Sequence, residues 1–440
     1  MRVALISTYE LGRQPFGVAS PAAWLERAGH QVLCVDTSRQ PLPLKTVVDA
    51  GLIAFYLPMH TATRLAIPLI EKIRADRPDA HICCYGLYAP MNAEFLRAQG
   101  VQTILGGEFE QALVDLAGGF SAELPLISLD RLHFIRPDRS QFPPLTSYAS
   151  LQLDGATKRV GSTEASRGCK YLCRHCPVVP VYNGAFRIVQ RDAVLADIRQ
   201  QVAMGAQHIT FGDPDFFNGP THAMAIVNAM YAEFPGLTYD VTIKIEHLLK
   251  YRDLLAVLKA AGCLFVTSAV ESIDDRMLAL LDKGHTRADF LEAVRLTREA
   301  GLTLAPTFVT FTPWTTWRNY RELLETLVEL DLVENVAPIQ LAIRLLIPAG
   351  SRLLELPEVL EKIGPFDESK LSYQWRNEDQ SLDRLCQQIQ SLIQAEERRK
   401  SSRSAIFGKI WDLAHDGTRS VDFHLAARAT IPYLNEPWYC

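Results

Sequence analysis

Residues 164–177 read EASRGCKYLCRHCP and put three cysteines, Cys169, Cys173 and Cys176, into one short window. Thiolates are good ligands for zinc and for iron-sulfur clusters. A structural zinc site normally takes four protein ligands, often as two separated CxxC pairs. Here one triplet stands with His175 as the only nearby nitrogen, and that side chain adjoins Cys176 and is expected to point elsewhere. A three-thiolate site is better explained by a cubane cluster with one iron left open for an exogenous ligand.

The surroundings of the triplet set its place in a fold. VGSTEAS (160–166) is a strand-like run directly before it. HITFGD (208–213), TYDVTIKI (238–245), CLFVTSAV (263–270), LTLAPTFVTF (302–311) and IQLAIRLLI (339–347) follow, alternating with amphipathic segments such as RDAVLADIRQQVAMGA. Six β/α units predict a partial barrel over residues 160–349, short of the eight that close a full one. The triplet then lies on the carboxyl-end side of the first strand, where such barrels place their active sites.

A second alternating pattern precedes the barrel. VALIST (3–8), QVLCVDT (31–37), LIAFYLP (52–58), HICCYG (81–86) and TILGG (103–107) are short apolar runs separated by helix-length segments. In the first of these segments Ser20 is placed to cap a helix, with Pro21 in its first turn. Residues 1–118 therefore read as a doubly wound open parallel sheet with helices on both faces. Residues 119–159, rich in Pro, Ser and Asp, read as a connection. Residues 350–440 read as a helical, charged extension with an aromatic tail, IPYLNEPWYC. The fold class is α/β.

Composition narrows the function classes. With 440 residues, 48% hydrophobic and 22% charged, the chain can bury a sizeable core, and a net charge of −5 gives no basic excess for nucleic acid. The opening MRVALISTYELG lacks a long apolar core and a cleavage site, and GLIAFYLPMHTATRLAIPLI is broken by Pro58, His60, Arg64 and Pro68. Neither reads as a membrane or export segment, so a cytoplasmic protein without membrane contact is expected. Nine scattered cysteines fit reduced thiols or metal ligands better than a disulfide framework.

On these residues the chain resembles the radical S-adenosylmethionine (SAM) superfamily. The spacing of Cys169, Cys173 and Cys176 matches its cluster loop, and His175 stands where that loop usually carries an aromatic side chain. The resemblance implies a 4Fe-4S cluster in which three irons take cysteine and the fourth takes the amino and carboxylate groups of SAM. Reductive cleavage of SAM then gives methionine and a 5'-deoxyadenosyl radical. It also implies an external electron donor of flavodoxin or ferredoxin type.

Further positions are carried over by the same resemblance. FGDPDFFN (211–218) stands where the superfamily receives the methionyl amino group, which points to Gly212, Asp213 and Asp215; helix capping is the other reading of the two aspartates. Glu271, with Ser272 beside it, resembles the ribose-binding position after the fourth strand, the alternative being a structural salt bridge. Lys244 and Arg344 sit near strand ends where the family often touches the SAM carboxylate or ribose, although a strand-end cation is usually just paired on the rim.

The amino-terminal region resembles the cobalamin-binding domain that precedes the radical SAM barrel in a large subgroup. Phe16, Gly17, Gly86, Gly106, Gly107 and Glu108 are its candidate contacts, the glycines by permitting close backbone approach or, in the plainer reading, by turn chemistry. There is no Asp-x-His-x-x-Gly motif to ligate cobalt, which leaves open a domain that keeps the fold and binds no corrin. The tail resembles that of a group that continues past an EPWYC segment with cysteine or selenocysteine. Cys440 is then either a reactive terminal thiol before a selenocysteine codon read as stop or part of an inert tail.

Together these readings give the expected function: radical methylation of an unreactive carbon, or a related alkyl transfer, on a small metabolite, with one 4Fe-4S cluster, SAM and cobalamin as the expected cofactors. The alternatives are a radical rearrangement or cyclisation, transfer of the aminocarboxypropyl group, and a zinc- or corrin-binding protein without turnover.

Overall fold

The computed structural model describes residues 1–119, 124–415 and 431–435. β1 (Arg2–Ser7), β2 (Gln31–Asp36), β3 (Leu52–Tyr56), β4 (Ile82–Tyr85), β5 (Thr103–Gly107) and β6 (Ile127–Ser128) form one sheet. Its order is β2-β1-β3-β4-β5-β6, and every pairing is parallel. Burial on both faces explains why these strands read as continuous apolar runs. Ala4, Ile6, Ile53 and Phe55 pack with Ala66, Ile70 and Ile73 of helix His60–Asp76. Val3, Leu5, Leu52 and Ala54 pack on the other face with Val18, Ala22 and Leu25 of helix Phe16–Arg27.

That second helix begins one turn earlier than its sequence signals suggest, which puts Pro21 inside it. Proline has no N–H to give the carbonyl four residues back. The Tyr85 hydroxyl donates to that Gly17 carbonyl instead, at 2.9 Å, and Ser20 turns its hydroxyl to Glu110 at 2.7 Å. The missing backbone bond is replaced from the neighbouring strand.

The connection is a structured seam. The Asp138 N–H donates to the Ala19 carbonyl of the first domain, while fully buried Arg139 grips Asp197 of the barrel at 2.7 and 2.9 Å. β7 (Ser150–Leu153) and β8 (Ala156–Thr163) then form an antiparallel hairpin. β9 (Ser166–Gly168) and β10 (Phe186–Ile188) form a second, and β11 (His208–Phe211), β12 (Thr238–Thr242), β13 (Cys263–Glu271) and β14 (Thr303–Phe308) follow. The barrel sheet runs β14-β13-β12-β11-β8-β7, with β8 and β11 to β14 parallel.

The expected sixth strand shrinks to one parallel bridge between Phe311 and Arg344. Pro338 opens a 3-10 turn over Pro338–Ala342, and the Gln340 side chain accepts the Phe308 N–H at 3.0 Å where a strand carbonyl would otherwise do so. The extension is not helical throughout: β15 (Ile363–Asp367) and β16 (Ser372–Trp375) make a hairpin before helices Gln380–Arg398 and Arg403–Ala414. β17 (Tyr433–Leu434) returns to pair with β7. Cys440 lies outside the described residues. Among those residues no helix is long and apolar enough to cross a membrane.

Candidate active site

β9 and β10 bracket the cysteine loop. Gly168, at φ +77°, ends β9, and a Cβ there would sit 2.4 Å from the Tyr182 ring and 2.6 Å from the Ala185 carbonyl, so no other residue fits. The loop backbone is then clamped at several points. Asn218 accepts from the Lys170 N–H at 3.1 Å and donates to the Gly168 carbonyl at 3.2 Å. The Arg174 N–H meets the Leu281 carbonyl at 2.9 Å, and Ser351 donates to the Arg174 carbonyl at 3.1 Å. Asn218 closes the FGDPDFFN stretch but was not singled out within it.

Cys169 and Cys173 are buried and Cys176 is half-buried. Burial pushes the Cys176 thiol up to about 12, and Cys169 is raised for the same reason. Such thiols ionise when a cation meets them, which is the chemistry of a metal site. Among the described residues no three His, Cys, Asp or Glu side chains close on one ion.

Two buried ammonium groups stand beside the thiols. Lys244 Nζ lies 3.7 Å from Cys173 Sγ, 3.2 Å from the Lys283 carbonyl, 2.6 Å from Glu246 and 3.3 Å from the centre of the Tyr171 ring. Lys283, which is not among the expected contacts, reaches Glu271 at 3.5 Å. Burial alone would lower its pKa, but Glu271, Cys173 and Cys176 outweigh that and raise it. Glu271 ends β13 at a bulge with φ +67°, a strained conformation for a non-glycine residue. Burial alone would raise its carboxyl, but Lys283 and His175, the latter at 3.1 Å, hold it down to about 2. Glu271 thus makes the salt bridge of the alternative reading.

The other expected SAM contacts divide. Gly212 has room beside it, an added Cβ meeting Glu164 Cγ, the Thr163 carbonyl and an Arg13 nitrogen at 3.5, 3.6 and 3.9 Å, all ordinary contacts. Asp213 turns both oxygens inward, accepting from the Ala165 N–H at 2.9 Å and the Ser166 hydroxyl at 2.6 Å, and burial pushes it up to about 7. Asp215 caps the turn Phe216–Asn218 and lies 2.6 Å from His247. Ser272 accepts the Asp274 N–H at 3.0 Å. Arg344 is not gathered here: it pairs with Asp383 at 2.5 Å and stacks over Trp375 at 3.5 Å, both in the carboxyl-terminal extension.

The first domain meets the cysteine loop across a cavity of about 170 Å³, lined by Gly86 and Gly107 at the ends of β4 and β5 and by Gly168, Val178 and Tyr182. The glycines are less open than expected. A Cβ on Gly17 would meet the Tyr56 ring at 2.0 Å, on Gly106 the Pro90 ring at 2.3 Å and on Gly107 the Ser128 carbonyl at 2.0 Å. Glu108 is buried, taking the Tyr182 hydroxyl at 2.9 Å and Arg167 at 3.3 Å, and Phe16 lies against Arg167. Phe16 and Glu108 therefore knit the two domains together.

Residues 163–327, which hold the cysteine loop and its lysines, match the radical SAM superfamily. The chain carries a radical SAM domain. A radical SAM domain implies a 4Fe-4S cluster and SAM. Over 315 residues it is 25% identical to the hopanoid C-3 methylase of Methylococcus capsulatus, covering 66% of this chain and 60% of that one. The cobalamin-dependent radical SAM enzyme OxsB, solved with aqua-cobalamin and SAM bound, is similar in fold with TM-score 0.67 at 14% identity, over 89% of this chain and 66% of OxsB. TsrM from Kitasatospora setae, a radical SAM methyltransferase solved with cobalamin and a 4Fe-4S cluster, gives TM-score 0.57 at 18% identity over 75% of this chain and 70% of TsrM. The chain spans under two thirds of the length of the methylase and of OxsB.

Proposed function

We propose that the protein is a cobalamin-dependent radical SAM enzyme that methylates, or transfers a related alkyl group to, an unreactive carbon of a small metabolite. The observation that carries this reading is the placement of Gly86 and Gly107, at the carboxyl ends of the first sheet, across a cavity from the cluster loop. Open parallel sheets bind ligands beyond these strand ends. The likeness to a methylase and to two cobalamin-bound structures supports the same reading.

The residues fit the cofactors in kind. Cys169, Cys173 and Cys176 would hold the cluster, which supplies the electron for reductive cleavage of SAM. Lys244 and Lys283 offset the charge of the thiolates, and Glu271 keeps Lys283 turned toward them. Gly212 offers the accessible backbone for SAM, while Asp213 and Asp215 shape its loop. A corrin, which supplies a carrier for the methyl group, would lie against Gly86, Gly107 and Leu87, and no residue lining that cavity is a histidine. A flavodoxin or ferredoxin would deliver the electron.

Anaerobic reconstitution followed by product analysis tests the proposal. The expected products are S-adenosylhomocysteine and 5'-deoxyadenosine together with a methylated substrate, and a bound corrin spectrum. Zinc without acid-labile sulfide would exclude the radical chemistry. The Tyr56 ring, filling the space beside Gly17, favours a second reading in which the domain binds no corrin and the outcome is rearrangement or cyclisation. In that case 5'-deoxyadenosine forms without S-adenosylhomocysteine; methylthioadenosine would mark aminocarboxypropyl transfer.

A further inference from the structure

Beneath Gly212 a second cavity, of about 310 Å³, occupies the inside of the half-barrel, a volume suited to a small molecule. Strand register builds its wall in layers. Asp240, Phe265 and Thr303 lie level with one another, Thr242, Thr267 and Ala305 lie two residues further along, and Thr307 stands above. The rise from Thr303 to Thr307 makes the shaft about 13 Å deep. Between floor and mouth its wall presents hydroxyls and apolar faces, because Asp240 Oδ1 is already held by His208 at 2.8 Å and the Thr210 hydroxyl at 2.6 Å; at the Gly212 end it is bordered by Arg13 and by Asp213, whose oxygens are taken by Ala165 and Ser166.

The floor differs from the wall. Arg403, at the start of its helix, gives one N–H to the Glu334 carbonyl at 2.8 Å and stands 4.4 Å from the centre of the Tyr433 ring. The Glu334 carboxylate is turned to the Ser404 N–H at 3.0 Å. No carboxylate among the described residues pairs with Arg403, and burial lowers its pKa, as expected for a cation short of counter-charge. Arg403 lines the cavity, and a guanidinium has five N–H donors, of which one is given to Glu334.

We propose that the barrel takes a slender substrate ending in an anionic group, a carboxylate or a phosphate, which Arg403 holds at the floor while the reacting end lies beneath Gly212 and Pro214. This rests on the radical SAM reading and adds to it the substrate's charge and orientation. Threonine hydroxyls along the shaft suit a body with scattered polar groups; Arg403 is the cation at the floor, and Arg13 lines the opposite, Gly212 end.

The test is calorimetric titration of the cluster-containing, SAM-loaded protein with decanoate, decyl phosphate and decanol. Wild type is expected to bind one or both anions about tenfold or more tightly than the alcohol. Arg403→Gln is expected to bring anion binding down to that of decanol while leaving decanol unchanged, and Arg403→Lys to keep part of the preference. The better anion identifies the group. Equal affinity for anion and alcohol in wild type, no saturable anion binding, or an unchanged preference in Arg403→Gln would overturn the proposal. Iron content and SAM cleavage on the same preparations report on the radical SAM reading separately, and they also show that the variants are folded.

Discussion

Arg167 and Glu110 meet at 2.7 Å across 57 residues of chain, joining the strand that opens the cluster loop to the helix that follows β5. The same guanidinium reaches Glu164 at 2.8 Å and Glu108 at 3.3 Å, and lies against the rings of Phe16, Phe109 and Phe134. One buried cation therefore serves three buried carboxylates at the domain seam. Removing one partner of such a set leaves uncompensated charge, which costs about 3–5 kcal/mol. Arg167→Met should lose stability of that order in urea unfolding and also retain less iron, because β9 sets the start of the cysteine loop. Lysine lacks the planar fork, so Arg167→Lys should fall between. Wild-type stability in Arg167→Met would remove the seam from this account.

Asp213 gives a pH dependence with a definite sign. Burial raises its carboxyl from an ordinary 3.8 to about 7, against the hydrogen bonds from Ser166 and Ala165. Between those values the folded chain keeps a proton that the unfolded chain releases. Stability is therefore fully present below about pH 4 and is lost as the pH rises through about 7, by on the order of 4 kcal/mol in all. Asp213→Asn has no charge to bury and can still accept from the Ala165 N–H. Urea unfolding at pH 5, 6.5 and 8 should show a flatter profile for the variant and greater stability than wild type at pH 8; parallel profiles would contradict the assignment.

What was legible in the sequence follows the range of the forces involved. Alternation and apolar runs gave β1 to β5 and β11 to β14, because each reflects burial local to one strand. IQLAIRLLI reads equally well as a strand, yet the chain turns at Pro338 and Gln340 caps the edge of β14, a tertiary substitution that no local pattern announces. Cysteine spacing singles out the loop of Cys169, Cys173 and Cys176 without reference to the fold. Lys283 and Arg167 stayed hidden because a buried charge takes its meaning from partners far along the chain, Glu271 for one and Glu110 for the other. Arg344 is the opposite case: its strand-end position reads as functional, while in the fold it pairs with Asp383 of the extension, a partner 39 residues along the chain.

Lys283 should tune the cluster electrostatically. Its ammonium, nearly fully buried, sits between Glu271 and the thiols of Cys173 and Cys176. A positive charge this close favours the reduced, more negative cluster, and Coulomb's law at the effective dielectric of such sites gives a change on the order of 100 mV. Lys283→Met should therefore lower the midpoint potential. Glu271→Gln combined with Lys283→Met controls for the carboxylate left unpaired. The readout is an EPR-monitored redox titration at matched iron and sulfide content, and an unchanged potential there would show that the lysine only packs the loop.

Tyr56 lines the cavity between the domains and packs on Gly17. The Tyr56 ring occupies the space where a Gly17 Cβ would lie, 2.0 Å from ring atom Cζ, and it also borders Gly86 at 3.1 Å from an added Cβ. Gly17→Ala should overpack this contact at a cost of about 1–3 kcal/mol. Tyr56→Ala should relieve it, so that the double variant is more stable than the sum of the two single effects implies. If a corrin enters where the ring now lies, Tyr56→Ala should also bind hydroxocobalamin more tightly than wild type in a spectrophotometric titration. Coupling between the two positions without a gain in corrin affinity would keep the packing argument and assign Tyr56 to the seam alone.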